Sequence, residues 1–157
     1  MDAVVSFLRE WAVSYVKNKD IIAGNIEGIE ENKDGFDIIV RYKDKISFFI
    51  IRPLLKDAEE IIKKMDKEGH YGLVMLNNKE NLNIVIGNWK RLIEFKNLCV
   101  YFVNPFSQLD KKWLVFPCTH SRICDENSLE TGLKAMFEMV EPITEEDAKA
   151  RLKNESN

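Results

Sequence analysis

An aspartate and an arginine at the two ends of a strand-turn-strand segment are the residues of this chain best suited to chemistry. Asp37 stands near the start of the first apolar run, just after Gly35 and Phe36, and Arg52 ends the second run. A carboxylate can bind a divalent cation, and an arginine can bind a phosphate through two parallel hydrogen bonds. The pair could therefore hold a cation or a phosphate group.

Two strands and their neighbours must position this pair. The runs Phe36–Tyr42 and Lys45–Arg52 are rich in Ile, Val, Phe and Tyr and are separated by a short polar turn, which predicts a hairpin. Helical spacing of apolar residues from Asp2 to Lys17, with Asp2 as a cap, predicts an amphipathic helix. Loose alternation from Ile21 to Ile29 predicts a strand between this helix and the hairpin.

The remainder of the chain alternates between predicted helices and strands. Apolar residues recur with a helical period after Pro53, which predicts a long helix that Gly69 closes. Short apolar runs bounded by turn residues predict buried strands. We expect strands at Tyr71–Leu76, Asn81–Ile86, Leu98–Val103 and Trp113–Phe116, a helix at Trp89–Phe95 capped by Asn88, and a helix from a capping box at 127–130 through Val140.

Length and composition indicate one α/β domain, 1–142, followed by a polar, frayed tail, 143–157. With 157 residues, of which 45% are hydrophobic, the chain can bury one substantial core and is too short to need two. The formal net charge of −3 excludes the global positive field of most non-specific nucleic-acid binders. Three cysteines, no recognisable leader and no apolar run of about 20 residues favour a reduced, cytoplasmic protein outside the membrane.

The predicted order of helix, three antiparallel strands, helix and strand resembles the core of the PD-(D/E)XK, or restriction-endonuclease-like, superfamily. The resemblance covers roughly Val4 to Val103 and is greatest to Mrr-type endonucleases and archaeal Holliday-junction resolvases. In that family an aspartate follows a Gly-hydrophobic pair, as in Gly35-Phe36-Asp37. The resemblance implies a restriction-endonuclease-like core with a mixed central sheet flanked by helices, to which a strand and a helix are added at the C-terminus.

The same resemblance implies that the catalytic motif is degenerate. In the family a Glu-x-Lys or Gln-x-Lys triplet lies on the third strand, and here that triplet reads Ile50-Ile51-Arg52. Isoleucine cannot coordinate a metal ion, and arginine stays protonated, so it can hold a phosphate but is a poor proton acceptor. An acid relocated to the following helix, Glu59 or Glu60, or to the first helix, Glu10, could replace the missing ligand.

Ordinary structural roles compete with each of these assignments. Accepting hydrogen bonds at a turn is an ordinary role for Asp37, and an exposed cation at the end of a strand is an ordinary role for Arg52. Glu59 and Glu60 could form a solvated helix face with nearby lysines. The basic residues that could line the site and contact a nucleic acid are Arg41, Lys43, Lys45 and Lys56.

A second cluster of reactive side chains lies at Cys118, His120 and Cys124. Two thiols and an imidazole could contribute ligands to zinc, but a structural zinc site normally has four ligands in recognisable pairs. A thiol nucleophile with an imidazole base is the other chemical interpretation. We expect instead a surface loop with one thiol partly buried.

Three functions remain open from the sequence. The preferred one is a catalytically impaired nuclease-fold protein that binds DNA, RNA or a protein partner, with no cofactor assigned to it. The second is an active DNA endonuclease that uses magnesium, with Asp37 as a ligand, a relocated carboxylate and Arg52 in the role of the lysine. The third is a structural homodimer formed through the apolar strand Phe48–Ile51 and the aromatic residues that follow it.

Overall fold

The computed structural model describes residues 2–155. Its strands are β1 (Ile26–Lys33), β2 (Phe36–Tyr42), β3 (Ile46–Ile51), β4 (His70–Leu76), β5 (Asn97–Val103) and β6 (Lys112–Val115). Its α-helices are α1 (Ala3–Lys19), α2 (Glu59–Ile62), α3 (Lys79–Gly87), α4 (Trp89–Leu92), α5 (Pro117–Ile123), α6 (Leu129–Phe137) and α7 (Glu145–Glu155), and a 3-10 turn spans Glu126–Ser128.

One mixed sheet organises the fold. Its six strands lie side by side in chain order, from β1 at one edge to β6 at the other. Neighbours are antiparallel from β1 to β3, parallel from β3 to β5, and antiparallel again between β5 and β6. The predicted mixed α/β fold, with helices flanking a central sheet, is confirmed. Its identity as a restriction-endonuclease-like fold stays a prediction.

Helices cover both faces of the sheet. On one face, α1 buries Val4, Leu8, Ala12 and Val16, which recur every four residues, against Ile38 and other residues of the central strands. On the other face, α2, α3, α4 and α6 cover a second apolar cluster that includes Ile50 of β3. The central strands are therefore buried on both sides, which explains why β4 and β5 read as continuous apolar runs.

Two predicted elements differ from the structure in the segment after Pro53. The long helix predicted there is a single turn, α2. The side chain of Asn81 binds the irregular segment before it: its Nδ2 donates to Pro53 O and its Oδ1 accepts from Leu55 N, both at 2.8 Å. The strand predicted at 81–86 is wrong, since these residues lie in α3. Asn78 caps α3 by accepting a hydrogen bond from Asn81 N.

The frayed tail predicted from 143 onward is also wrong over the described residues. Ile143 and Ala148 are buried, and α7 packs beside α1. Thr144 Oγ1 accepts a hydrogen bond from Asp147 N at the start of α7. Most residues of this segment are polar or acidic, but Ala148 and Leu152 are four residues apart and form a short apolar stripe on α7. Ser156 and Asn157, the end of the predicted tail, lie outside the described residues.

The C-terminal half differs in two smaller respects. The segment predicted as a surface loop around Cys118 is α5, which begins at Pro117, a residue whose fixed φ suits the first turn of a helix. The side chain of Ser128 makes no capping bond to α6; Asp125 instead caps the preceding 3-10 turn. Among the described residues, no helix has the length and apolar character needed to cross a bilayer.

Candidate functional site

A tight turn sets the position of Asp37. Lys33 pairs with Phe36 across the hairpin of β1 and β2, so Asp34 and Gly35 form a two-residue turn. Both have positive φ, 54° and 83°, as the turn type favoured in such hairpins requires. Asp-Gly suits this turn because aspartate tolerates the left-handed region and glycine adopts it without steric cost.

Asp37 bonds to the end of β3. Its Oδ2 accepts a hydrogen bond from Ile51 N at 2.8 Å and one from Arg52 Nη1 at 3.3 Å. The carboxylate thus satisfies a backbone donor at the strand end and a guanidinium at once. Asp37 and Arg52 thus form an ion pair, and most of the Asp37 side chain is shielded from solvent, with 20% exposed.

Arg52 is held on three sides. Its Nε donates to Glu60 Oε1 at 2.7 Å, and its Nη1 donates to Ile51 O at 2.8 Å as well as to Asp37. A guanidinium has five N–H donors in a rigid fork, and this arrangement engages two of its three nitrogens. We call Asp37, Arg52 and Glu60 the ion-pair network.

Ile50 occupies the position where the resembled family has its acid. It is 1% exposed and packs in the apolar cluster with Leu73 and Met75. Alternation along β3 places Ile50 on the same face as Arg52, so it lies directly beside the ion-pair network. The side of the network where a second metal ligand would be needed is therefore apolar.

The donor set does not fit a magnesium ion. Mg²⁺ demands near-octahedral oxygen coordination. Asp37 and Glu60 both bond to the guanidinium of Arg52, whose positive charge repels a cation at close range. Over residues 2–155, no group of three His, Cys, Asp or Glu side chains is arranged to hold a metal ion.

The three acids proposed as a relocated ligand have different surroundings. Only Glu60 reaches the ion-pair network. Glu59 instead pairs with Arg91, and this hydrogen bond lowers the pKa of the Glu59 carboxyl and raises that of the Arg91 guanidinium. Glu10 is exposed on α1, which covers the opposite face of the sheet.

Three of the four predicted nucleic-acid contacts, Arg41, Lys43 and Lys45, lie away from the ion-pair network. Arg41 pairs with Glu30 at 2.6 Å, and hydrogen bonds from Lys33 and then from Arg41 lower the pKa of the Glu30 carboxyl. Lys43 and Lys45 lie in the turn at the far end of the hairpin, about 20 Å from Asp37 at 3.3 Å per residue. Lys56 is exposed just before α2.

Helix α5 brings one thiol near an imidazole. Cys124 Sγ lies 4.0 Å from His120 Nδ1, while Cys118 is buried. Cys124 also lines a recess of about 320 Å³ with Trp89, Ile93 and others. No third ligand completes a zinc site in the described part of the chain.

The crevice at the carboxyl ends of the parallel strands is filled by the chain itself. Ligands usually bind there in open α/β sheets. Here Asn77 Nδ2 donates to Val140 O at 2.8 Å, and Asn104 Nδ2 donates to Glu141 O at 2.9 Å. Trp113 Nε1 donates to Asn77 Oδ1 at 2.8 Å. These buried asparagines hold residues 137–143 over the strand ends.

Sequence reasoning missed an aromatic and basic surface on α1. Phe7, Trp11 and Tyr15 recur every four residues on α1, on a stripe beside the buried one. Each is only partly buried, and Lys112 of β6 lies over the ring of Tyr15. The four-residue spacing was visible in the sequence, but the partnership with β6 needs the tertiary fold.

No family model, curated protein or solved structure matches the chain. The resemblance to the restriction-endonuclease-like superfamily therefore depends on the Gly35-Phe36-Asp37 segment, on Arg52 and on the order of the elements.

Proposed function

We propose that this protein is a nucleic-acid-binding module on a nuclease-like frame, in which the hydrolytic position has become a structural ion-pair network. One observation carries the proposal. Arg52 bonds to both Asp37 and Glu60, while the buried Ile50 takes the place of the missing acid. The carboxylates neutralise an arginine there instead of gathering a cation.

The chemistry of hydrolysis explains why this arrangement favours binding. Metal-dependent phosphodiester cleavage needs a cation beside the scissile phosphate and an activated water. Arg52 supplies neither, because it stays protonated and its donors already face two carboxylates and a backbone carbonyl. Removing the network would cost stability and would not remove an activity.

Nucleic acid is favoured over a protein partner by where the basic side chains lie. Arg41 is neutralised by Glu30, but Lys43 and Lys45 are exposed at the end of the hairpin, where Lys45 lies 5.3 Å from the centroid of the Tyr42 ring. Cations beside aromatic rings suit phosphates and bases. The strand Phe48–Ile51, proposed as a dimer interface, is not available: it lies between β2 and β4, and Phe49 to Ile51 are buried within the chain.

Two measurements on the same samples test this function. Calorimetry with Mg²⁺ and Mn²⁺ compares the native protein with Asp37→Ala, and labelled linear and branched DNAs report both binding and cleavage. We expect DNA binding with no cleavage, and no saturable metal binding that depends on Asp37.

The matched control uses the two neighbouring glutamates. Glu60→Gln removes a member of the network, whereas Glu59→Gln removes a carboxylate that bonds elsewhere. Metal-dependent cleavage abolished by Asp37→Ala and Glu60→Gln but kept in Glu59→Gln would establish the active nuclease in place of our proposal. Absence of binding to any DNA or RNA would also refute it.

A further inference from the structure

A row of partly buried aromatic rings runs along α1. Trp11 and Tyr15 are stacked, with centroids 5.4 Å apart and planes 4° from parallel. Tyr15 meets Tyr101 of β5 edge to face at 5.8 Å. At the other end of the row, Phe7 stacks on Phe106 at 5.1 Å. From Phe7 to Lys19 the row extends about 18 Å, at 1.5 Å per residue of helix.

Two lysines lie over the ring of Tyr15, and a third, Lys45, lies over the ring of Tyr42. The ammonium groups of Lys112 and Lys19 lie 5.1 and 5.9 Å from the centroid of Tyr15. Lys19 and Lys45 line one recess, of about 210 Å³, together with Tyr42. We call Trp11, Tyr15, Tyr42, Lys19, Lys45 and Lys112 the aromatic-lysine surface.

Two carboxylates border this surface and moderate its charge. Both oxygens of Asp20 are engaged by the backbone, accepting from Asn25 N at 3.0 Å and Ile26 N at 2.9 Å. Asp44 is exposed and lines the same recess as Lys45. Three lysines against two aspartates leave a small positive excess, so binding must come from ring contacts as well as from charge.

We propose that the aromatic-lysine surface binds a single-stranded nucleic acid, an inference that rests on the proposed function. Unpaired bases expose π-faces that stack on aromatic side chains, while lysines contact the phosphates between them. In a duplex the bases are stacked on one another and cannot reach rings that lie along the side of a helix. The ion-pair network lies on the opposite face of the sheet, so binding at α1 does not involve it.

The test uses a fluorescently labelled 12-nucleotide oligothymidylate, with a hairpin duplex as the competing probe. Anisotropy at low salt measures binding to the native protein, Trp11→Leu, Lys112→Gln and one control. The control, Lys134→Gln, makes the same charge change on α6, which packs on the opposite face. Thermal unfolding verifies that each variant is folded.

We expect the single strand to bind more tightly than the duplex. Trp11→Leu should weaken binding by about tenfold or more, because a stacked base is lost. Lys112→Gln should weaken it and reduce the slope of log affinity against log salt by about 0.7, the value for one phosphate contact on a single strand. The Lys134→Gln control should bind like the native protein. Tryptophan emission should be quenched on binding in every variant except Trp11→Leu, since Trp89 and Trp113 are buried.

Other results separate the two proposals. If the native protein binds oligothymidylate and Trp11→Leu and Lys112→Gln bind equally well, the assignment of this surface fails while the nucleic-acid function stands. Tighter binding to the duplex, weakened by the same variants, would overturn the single-stranded class. No binding to either probe, or to RNA of the same length, would overturn the proposed function and this inference with it.

Discussion

At the scale of single residues, the surroundings of Arg52 decide what the candidate site can do. Where the resembled family has its second acid, this chain has Ile50, which is buried. Glu60 approaches from α2, so that two carboxylates surround one guanidinium and the network carries one net negative charge. The most direct role for Asp37 is therefore to bond the end of β3.

Replacing Asp37 should cost stability. Asp37→Ala removes the acceptor of the Ile51 N–H and a partner of Arg52, so we expect the free energy of unfolding to fall by about 1–3 kcal/mol. Urea denaturation measures the change. Asp34→Asn, in the exposed turn nearby, should change it by less than about 0.5 kcal/mol. Equal effects of the two substitutions would show that Asp37 has no structural role.

Burial raises the pKa of the Cys99 thiol to about 12, against its ordinary value near 9. The folded state therefore holds this proton more tightly than the unfolded state. Stability is fully present below the unfolded pKa and is lost as pH rises above it. Between pH 8 and pH 10, the native protein should lose about 1–2 kcal/mol more than Cys99→Ala, in denaturant titrations at both pH values. An identical loss in both proteins would contradict this assignment.

At the scale of elements, the sequence predicts those whose signals are local and strong. Helix α1, the β2–β3 hairpin and strands β4 and β5 follow from apolar spacing and composition. The sequence predicts a strand where α3 lies, because a short apolar run fits both the helical and the strand period. The signal that favours a helix there is Asn78, which caps its N-terminus. Helix α7 has too few apolar residues to be predicted from the sequence. These residues are buried only because α7 packs against α1 in the tertiary structure.

The packing of α7 on α1 can be tested with two alanines of the same helix. Ala148 is buried and Ala150 is exposed. Ala148→Asp places a charge in the apolar contact, so we expect the free energy of unfolding to fall by about 2–4 kcal/mol. Ala150→Asp should change it by less than about 0.5 kcal/mol. A small effect of both substitutions would mean that α7 does not pack on the domain in solution.

At the scale of the whole molecule, charge and topology direct a ligand away from the usual positions. The net charge of −3 gives no long-range attraction for phosphates, so the nucleic-acid binding that we propose must depend on local contacts. Residues 137–143 fill the crevice at the carboxyl ends of the parallel strands. The surface of α1 and β6 remains, with its rings and its lysines.

The candidate site was partly predictable from the sequence. The pairing of Asp37 with Arg52 follows from their places on neighbouring strands, and Glu60 was one of three acids considered. The position of the short helix α2 determines which acid reaches Arg52. The spacing of apolar residues predicts a much longer helix there. The contact between Tyr15 and Lys112 joins residues that are far apart in the chain, so local sequence patterns cannot predict it.

The most direct test of the central claim is to measure the anisotropy of a labelled single strand with the native protein and with Asp37→Asn, in EDTA and in Mg²⁺. We predict equal affinity under all four conditions, with the strand intact afterwards, because binding needs neither a metal ion nor the ion-pair network. Binding or cleavage that requires Mg²⁺ and is lost in Asp37→Asn would contradict the claim and identify the network as a working metal site.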